Sequence, residues 1–224
     1  MPFDPIAFGT LHGDPLAFMS MAWPDAGLYD KEQEMVLSCR DSIETIVVAG
    51  NMLGKDYTVG IICPTFFIAP QLFFPISYVR EVESRRRPGY DPHTRRVVTT
   101  SVKDEHLDIL WGEIGRHVKT CKLPLDDLLY VTTHEIRFRE EAEAKNPVNY
   151  LKGMVSKTGE GLAGHHAAYT LFACDEASAM DDMAYKAAQG WAKRIFLFGN
   201  PHDCSNSWRT NYEAGNVLAQ ITAA

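Results

Sequence analysis

The sequence has no paired-cysteine motif, no excess of positive charge, no internal repeat and no low-complexity tract. Its five cysteines, Cys39, Cys63, Cys121, Cys174 and Cys204, are odd in number and widely spread. That argues against a disulfide framework and for a reducing compartment. Lys and Arg total 22 against 29 Asp and Glu, a net charge of −7. An acidic chain is no polybasic coat, so any contact with nucleic acid must come from a local patch. The first residues, MPFDPIAFGTLHGDP, lack a basic n-region and carry early acids and prolines, unlike a secretory signal. Charge is absent from Tyr57 to Val79, a stretch long enough to span a bilayer. Pro64, Pro70 and Pro75 interrupt it, and it reads as a buried core segment.

What is present is an apolar supply of 46% of 224 residues, with 23% charged, enough for one large domain or two small ones. Residues 1–28, rich in Pro, Gly and Asp, read as an irregular lead-in. Asp30 to Cys39 reads as a helix. Glu44 to Ala49 is a β-branched apolar run ending at glycine, the pattern of a buried parallel strand. Arg96 to Thr100 is a second such run, and Ser101 with Asp104 resembles a capping box opening a helix. Leu128 to Thr133 and Glu135 to Arg139 alternate like strands. Tyr169 to Cys174 and Arg194 to Phe198 are further buried strands, with a helix from Asp181 to Gly190 between them. The alternation predicts an α/β fold with a mostly parallel sheet flanked by helices, whose ligands sit beyond the carboxyl ends of the strands.

Three strand ends carry chemistry. The first runs into Gly50-Asn51-Met-Leu-Gly54-Lys55-Asp56, a degenerate P-loop with Asp56 where a hydroxyl belongs. A glycine turn presents backbone N–H groups to phosphates, and Lys55 would reach the β/γ-phosphates. A surface turn with a chance Gly-Lys is the other reading. The strand Leu171 to Cys174 delivers Asp175 and Glu176. An acid there holds Mg²⁺ in P-loop ATPases, and a neighbouring glutamate polarises the attacking water. The alternative is a pair of acids favoured at the start of the next helix. The third end, Phe198-Gly199-Asn200-Pro201, places an amide where it could sense the γ-phosphate, or is an ordinary turn.

Taken in order, Gly-Asn-Met-Leu-Gly-Lys-Asp, Val-Val-Thr-Thr-Ser, Ile-Leu-Trp-Gly-Glu-Ile, Gly-Leu-Ala-Gly-His-His-Ala, Asp-Glu-Ala-Ser and Phe-Gly-Asn-Pro resemble the ATPase domain of the large terminase subunit of tailed bacteriophages, a DNA-packaging motor. The likeness runs from about Tyr29 to Cys204. It implies a P-loop NTPase of the additional-strand, catalytic-glutamate type, in which the catalytic glutamate follows a strand inserted between the P-loop and Walker B strands. By the same resemblance Gln33 recognises adenine, and Gly50, Asn51, Gly54 and Lys55 form the phosphate loop. Asp175 is then the Mg²⁺ ligand, Glu176 the catalytic base, and Gly199 and Asn200 the coupling motif; Asp56, in the hydroxyl's place, is a second candidate Mg²⁺ ligand. ATP and Mg²⁺ are the implied cofactors. The implied partners are double-stranded DNA, further copies of the chain in a ring on the portal, and the small terminase subunit, in the cytoplasm of the infected host cell with no membrane.

Two departures stand out. Asp56 replaces the hydroxyl, and Lys152-Gly-Met-Val-Ser stands where many relatives carry an arginine. Lys152, Arg137 and Arg139 are therefore all candidates for a trans-acting finger. Family members continue into a ribonuclease-H-like nuclease; no late cluster of acids suggests its two-metal site, so residues 29–224 read as an ATPase domain alone. Other functional readings are a DEAD-box-like helicase ATPase and a nucleotide-binding scaffold that has lost hydrolysis, the latter kept alive by Asp56. Arg85-Arg86-Arg87 with Arg95-Arg96 reads as a basic hairpin tip, either solvated or touching DNA phosphates. His165-His166 and His202-Asp-Cys204 lack a second pair at ligand spacing and read as structural.

Overall fold

Residues 13–49, 54–85, 87–156, 159–200, 204–214 and 219–223 are described by the computed structural model. Eight strands form one sheet in the order β3-β4-β5-β2-β6-β7-β1-β8. They are β1 (Glu44–Ala49), β2 (Arg95–Ser101), β3 (Leu129–Val131), β4 (Glu135–Phe138), β5 (Tyr150–Val155), β6 (Tyr169–Cys174), β7 (Arg194–Gly199) and β8 (Ala219–Ala223). From β5 to β8 every pairing is parallel; β3 and β4 form an antiparallel hairpin at one edge. The predicted mostly parallel α/β sheet is what the chain forms.

Alternation along the central strands builds a core on each face. Val47, Ala49, Leu171, Ala173, Phe196 and Phe198 point into one core, and Ile46, Val48, Phe172, Cys174, Ile195 and Leu197 into the other. The first core is roofed by α1 (Pro15–Ala22), α2 (Asp30–Asp41), α3 (Lys55–Ile68), α4 (Ile76–Ser84) and α5 (Asp104–Thr120). On the second face lie α6 (Asp182–Gln189) and α7 (Ser207–Ala214). The charge-free stretch after Lys55 is accounted for by α3, buried at every position from Thr58 to Ile68. No helix among the described residues is long and apolar enough to cross a membrane.

The end of α3 is held by Arg95, whose guanidinium donates to the carbonyls of Phe67 (3.5 Å) and Ile68 (3.1 Å) and lies over the Phe138 ring. These carbonyls have no partner within the helix, and a cation there also answers the helix dipole. Arg96 donates to the Val148 carbonyl and covers Tyr150, while Arg85 pairs with Glu81. The basic stretch read from the sequence is not a hairpin tip: it joins α4 to β2, with Arg85 following the helix, Arg87 exposed in the connection, and Arg95, in the strand, 4% exposed; Arg86 lies outside the described residues.

Three further expectations are corrected. Part of the lead-in is helical: Asp14 caps α1 by accepting from Leu16 N, Pro15 opens it, and Phe18, Met19 and Ala22 are buried. The capping box at Ser101 does not form, because Ser101 is the last residue of β2 and Lys103 is the N-cap of α5. The expected inserted strand is present, β7 between β1 and β6, but it ends at Gly199, and Glu176 follows β6 instead.

Candidate active site at the carboxyl ends of the parallel strands

The ends of β1, β6 and β7 converge, and the side chains beyond them meet. Lys55, the first residue of α3, places Nζ 3.2 Å from Glu176 Oε1 and 3.5 Å from Asn200 Oδ1. Asn200 Nδ2 closes the triangle at 3.4 Å from the same Glu176 oxygen. The ion pair is secluded, with side-chain exposures of 6% for Lys55 and 12% for Glu176. Three of the sequence-predicted residues, from three elements, are thus one cluster.

Backbone geometry aims Glu176 into it. Glu176 has φ 50° and ψ 45°, the only positive φ outside glycine among the described residues. For an L-residue this costs roughly 1–2 kcal/mol. Asp175 Oδ1 accepts from Glu176 N at 2.8 Å, and Asn206 Nδ2 donates to the carbonyls of Ala177, Ser178 and Met180. These bonds hold the turn in its strained form. Beneath it passes Gly199, where a Cβ would lie 3.1 Å from Ala177 N and 3.3 Å from Glu176 Cα. A side chain at this crossing would make the turn give by a few tenths of an ångström, so the end of β7 packs closely on the Glu176 turn.

The acids are crowded. Burial, then Asp56, pushes the Asp175 carboxyl up to about 7 despite Lys55. Burial likewise raises Asp56, with Lys55 opposing and Glu176 adding to the rise. Asp56 Oδ1 is buried with no hydrogen-bond partner. Ligand atoms of His106, Asp175 and Glu176 lie within 4.8 Å of one another. An orphaned carboxylate oxygen beside clustered acids is a donor set that fits a divalent cation.

Gly54 has φ +74°, as a phosphate-loop glycine turn needs, and the direction a Cβ would take is filled by the Glu32 carboxylate. Glu32 is buried, accepts from Tyr29 N at 3.2 Å, and has its carboxyl raised by burial. The first turn of α2 thus packs on Gly54 through Glu32. Beside it, Gln33 donates from Nε2 to the Leu28 carbonyl at 2.8 Å. Gly50 and Asn51 lie outside the described residues, as do Pro201 and His202.

Of the finger candidates, Arg137 is committed to Glu135 (2.9 and 3.0 Å) and to the carbonyls of Ala142 and Ala144. Arg139 donates to the carbonyls of Asp126 and Leu129. Lys152, on β5, makes no ion pair among the described residues. His165 bonds Tyr150 and the Gly161 carbonyl, the structural role read for it. Sequence reasoning missed two residues of the cluster, Glu32 and His106; neither carries a motif signal. A cavity of about 890 Å³ lies at the opposite end of the sheet, lined by Ile43, Phe74, Ile76 and Arg194. It holds none of the clustered acids, so the chemistry points to the strand ends.

No protein-family model matches the sequence, and no curated protein does. Solved structures do match. The large terminase ATPase domain of Thermus phage P74-26 gives a TM-score of 0.53 at 12% identity, covering 88% of this chain and 85% of that one. The HK97 bacteriophage large terminase gives 0.59 at 14% identity, covering 95% of this chain and 43% of that protein. The chain therefore spans less than half the length of the HK97 protein. At these identities the likeness establishes the fold alone, a mixed α/β domain with a mostly parallel sheet flanked by helices, as in these terminase structures.

Proposed function

We propose that the chain is a Mg²⁺-dependent ATPase whose hydrolysis drives double-stranded DNA into a viral procapsid. The reading is carried by the meeting of Lys55, Glu176 and Asn200 beyond three parallel strands. Gln33 and the loop through Gly50, Asn51 and Gly54 would bind the nucleotide. Lys55 would leave Glu176 to take the β/γ-phosphates, freeing the carboxylate to accept the proton of the attacking water as the bond to ADP breaks. Asp175 and Asp56 would hold the metal, which when bound offsets phosphate charge. Asn200, hydrogen-bonded to both Lys55 and Glu176, would register the loss of the γ-phosphate. In a ring of copies Lys152, the uncommitted cation of the three, would be the one to reach a neighbour. Double-stranded DNA, the portal, the small terminase subunit and the host cytoplasm are partners and setting by the same reading.

The test is ATP binding and phosphate release by wild type, Lys55→Ala and Glu176→Gln. Lys55→Ala should lose binding. Glu176→Gln should bind but slow by about a hundredfold or more. Normal ATP affinity in Lys55→Ala would remove the phosphate-loop assignment. Binding without turnover in the wild type would leave the nucleotide-binding scaffold.

A further inference from the structure

We propose that His106 is a metal ligand of this site, giving it a mixed carboxylate–imidazole donor set that prefers Mn²⁺ and its first-row neighbours to Mg²⁺. The inference rests on the nucleotide-site reading above and deepens it.

The placement follows from the sheet. β2 and β6 are parallel neighbours, with Thr100 paired to Cys174 and the Thr100 carbonyl accepting from Asp175 N at 2.9 Å. The chain leaving β2 therefore turns into α5 beside the acids leaving β6. His106, in the first turn of α5, arrives with Nδ1 4.0 Å from Asp175 Oδ2. That separation is too long for a hydrogen bond. It suits two atoms on one metal: with bonds of about 2.1 Å, octahedral ligands sit about 3 Å apart when adjacent and about 4.2 Å apart when opposite. Glu176 lies alongside, in a group whose ligand atoms are within 4.8 Å of one another, about half an ångström from fitting one ion, and the orphaned Asp56 oxygen belongs to the same charge cluster. His106 makes no hydrogen bond among the described residues, so no other partner accounts for its position.

Ligand chemistry decides the preference. Mg²⁺ takes oxygen donors and retains water, whereas imidazole favours first-row transition cations. Oxygen donors serve both Mg²⁺ and Mn²⁺, and one nitrogen donor shifts the balance further toward the transition cation.

The test measures metal binding directly, on nucleotide-free protein, by the loss of the free Mn²⁺ electron-paramagnetic signal, with Mg²⁺ as competitor. Wild type should favour Mn²⁺ by about tenfold or more, the scale on which ligand shells shift affinity. His106→Ala should reduce the preference to within about threefold, a collapse of the kind the loss of one ligand produces. Spin-echo spectra of bound Mn²⁺ should carry nitrogen modulation in wild type and lose it in the variant. An unchanged Mn²⁺/Mg²⁺ ratio and no nitrogen modulation would overturn the role of His106. Asp175→Asn separates the two readings. If it abolishes Mn²⁺ binding while His106→Ala does nothing, only the histidine proposal fails. If it too leaves Mn²⁺ binding intact, the cation lies elsewhere and the metal assignment beneath the proposal fails with it.

Discussion

Replacing Glu176 with Gln should tighten ATP binding even as it stops turnover. In this structure Lys55 Nζ is 3.2 Å from Glu176 Oε1, and both side chains are nearly sealed from water. At an effective dielectric near 20, a unit charge pair at this distance attracts by about 5 kcal/mol, most of it offset by desolvation. What remains for a charge-assisted hydrogen bond is about 1.5–3 kcal/mol. Under the proposed function ATP would have to break that bond to recruit Lys55, so its apparent affinity would be lowered by the same amount. The amide of Gln holds the ammonium far less strongly, and it removes a negative charge facing the triphosphate. Both effects act in one direction. The dissociation constant should fall roughly tenfold to a hundredfold. Calorimetric titration with a slowly hydrolysed analogue measures it in both proteins. Asn200→Ala is the internal control: its contacts at 3.4–3.5 Å are long, and releasing them should matter less. Equal or weaker affinity in Glu176→Gln would refute the view that the ion pair opposes nucleotide entry.

Gly54→Ala should destabilise the fold by at least ~1–2 kcal/mol from the positive φ alone, and more because the new methyl meets the Glu32 carboxylate. Thermal melting of the single variant and of Gly54→Ala/Glu32→Ala separates the two contributions, and the double variant should recover only the steric part. Burial pushes His117 down to about 4 from 6.5. Its neutral ring contributes stability in full above 6.5, and that stability drains away as pH falls toward 4, about 3 kcal/mol in all. Urea midpoints of His117→Phe should therefore fall less than those of wild type across that window; parallel curves would contradict it. In the proposed nucleotide site, Asp56 would face the triphosphate with about 4 kcal/mol of repulsion at ~4 Å unless a cation intervened. Chelation should then cost wild type more ATP affinity than Asp56→Thr, and equal losses would mean that Asp56 points elsewhere.

Strands buried on both faces were the most legible part of the chain. β1 and β6 match their sequence bounds because Glu44 to Ala49 and Tyr169 to Cys174 are almost wholly apolar runs that end at glycine or at acids. Where composition and position disagree, the pattern fails. Pro15 sits in a Pro- and Gly-rich segment but opens a helix, since proline at the first position sacrifices no hydrogen bond. β5 was missed because Lys152 and Gly153 break its apolar pattern; its place is set by pairing with β2, and Gly153 leaves room for Trp111. Ser101 and Asp104 have capping-box spacing, but strand pairing extends β2 through Ser101 and removes it from the helix.

The site divides along the same line. Lys55, Asp175, Glu176 and Asn200 each end or follow an apolar run, so the sequence marks them; His106 depends on which strands are neighbours, which no local pattern encodes. The two unusual residues also bear on one another. With a hydroxyl at position 56, the site would hold Asp175 and Glu176 against Lys55, a net charge near −1. Asp56 takes that toward −2; burial raises both the Asp56 and Asp175 carboxyls, and the neighbouring acids add to the rise. A doubly charged cation relieves it before any phosphate arrives, whereas a hydroxyl site draws much of its metal affinity from the nucleotide. A neutral imidazole adds a donor without deepening the negative charge. The substitution at Asp56 and the presence of His106 thus push toward one behaviour, metal bound ahead of ATP, and titrating metal into the nucleotide-free protein tests both at once.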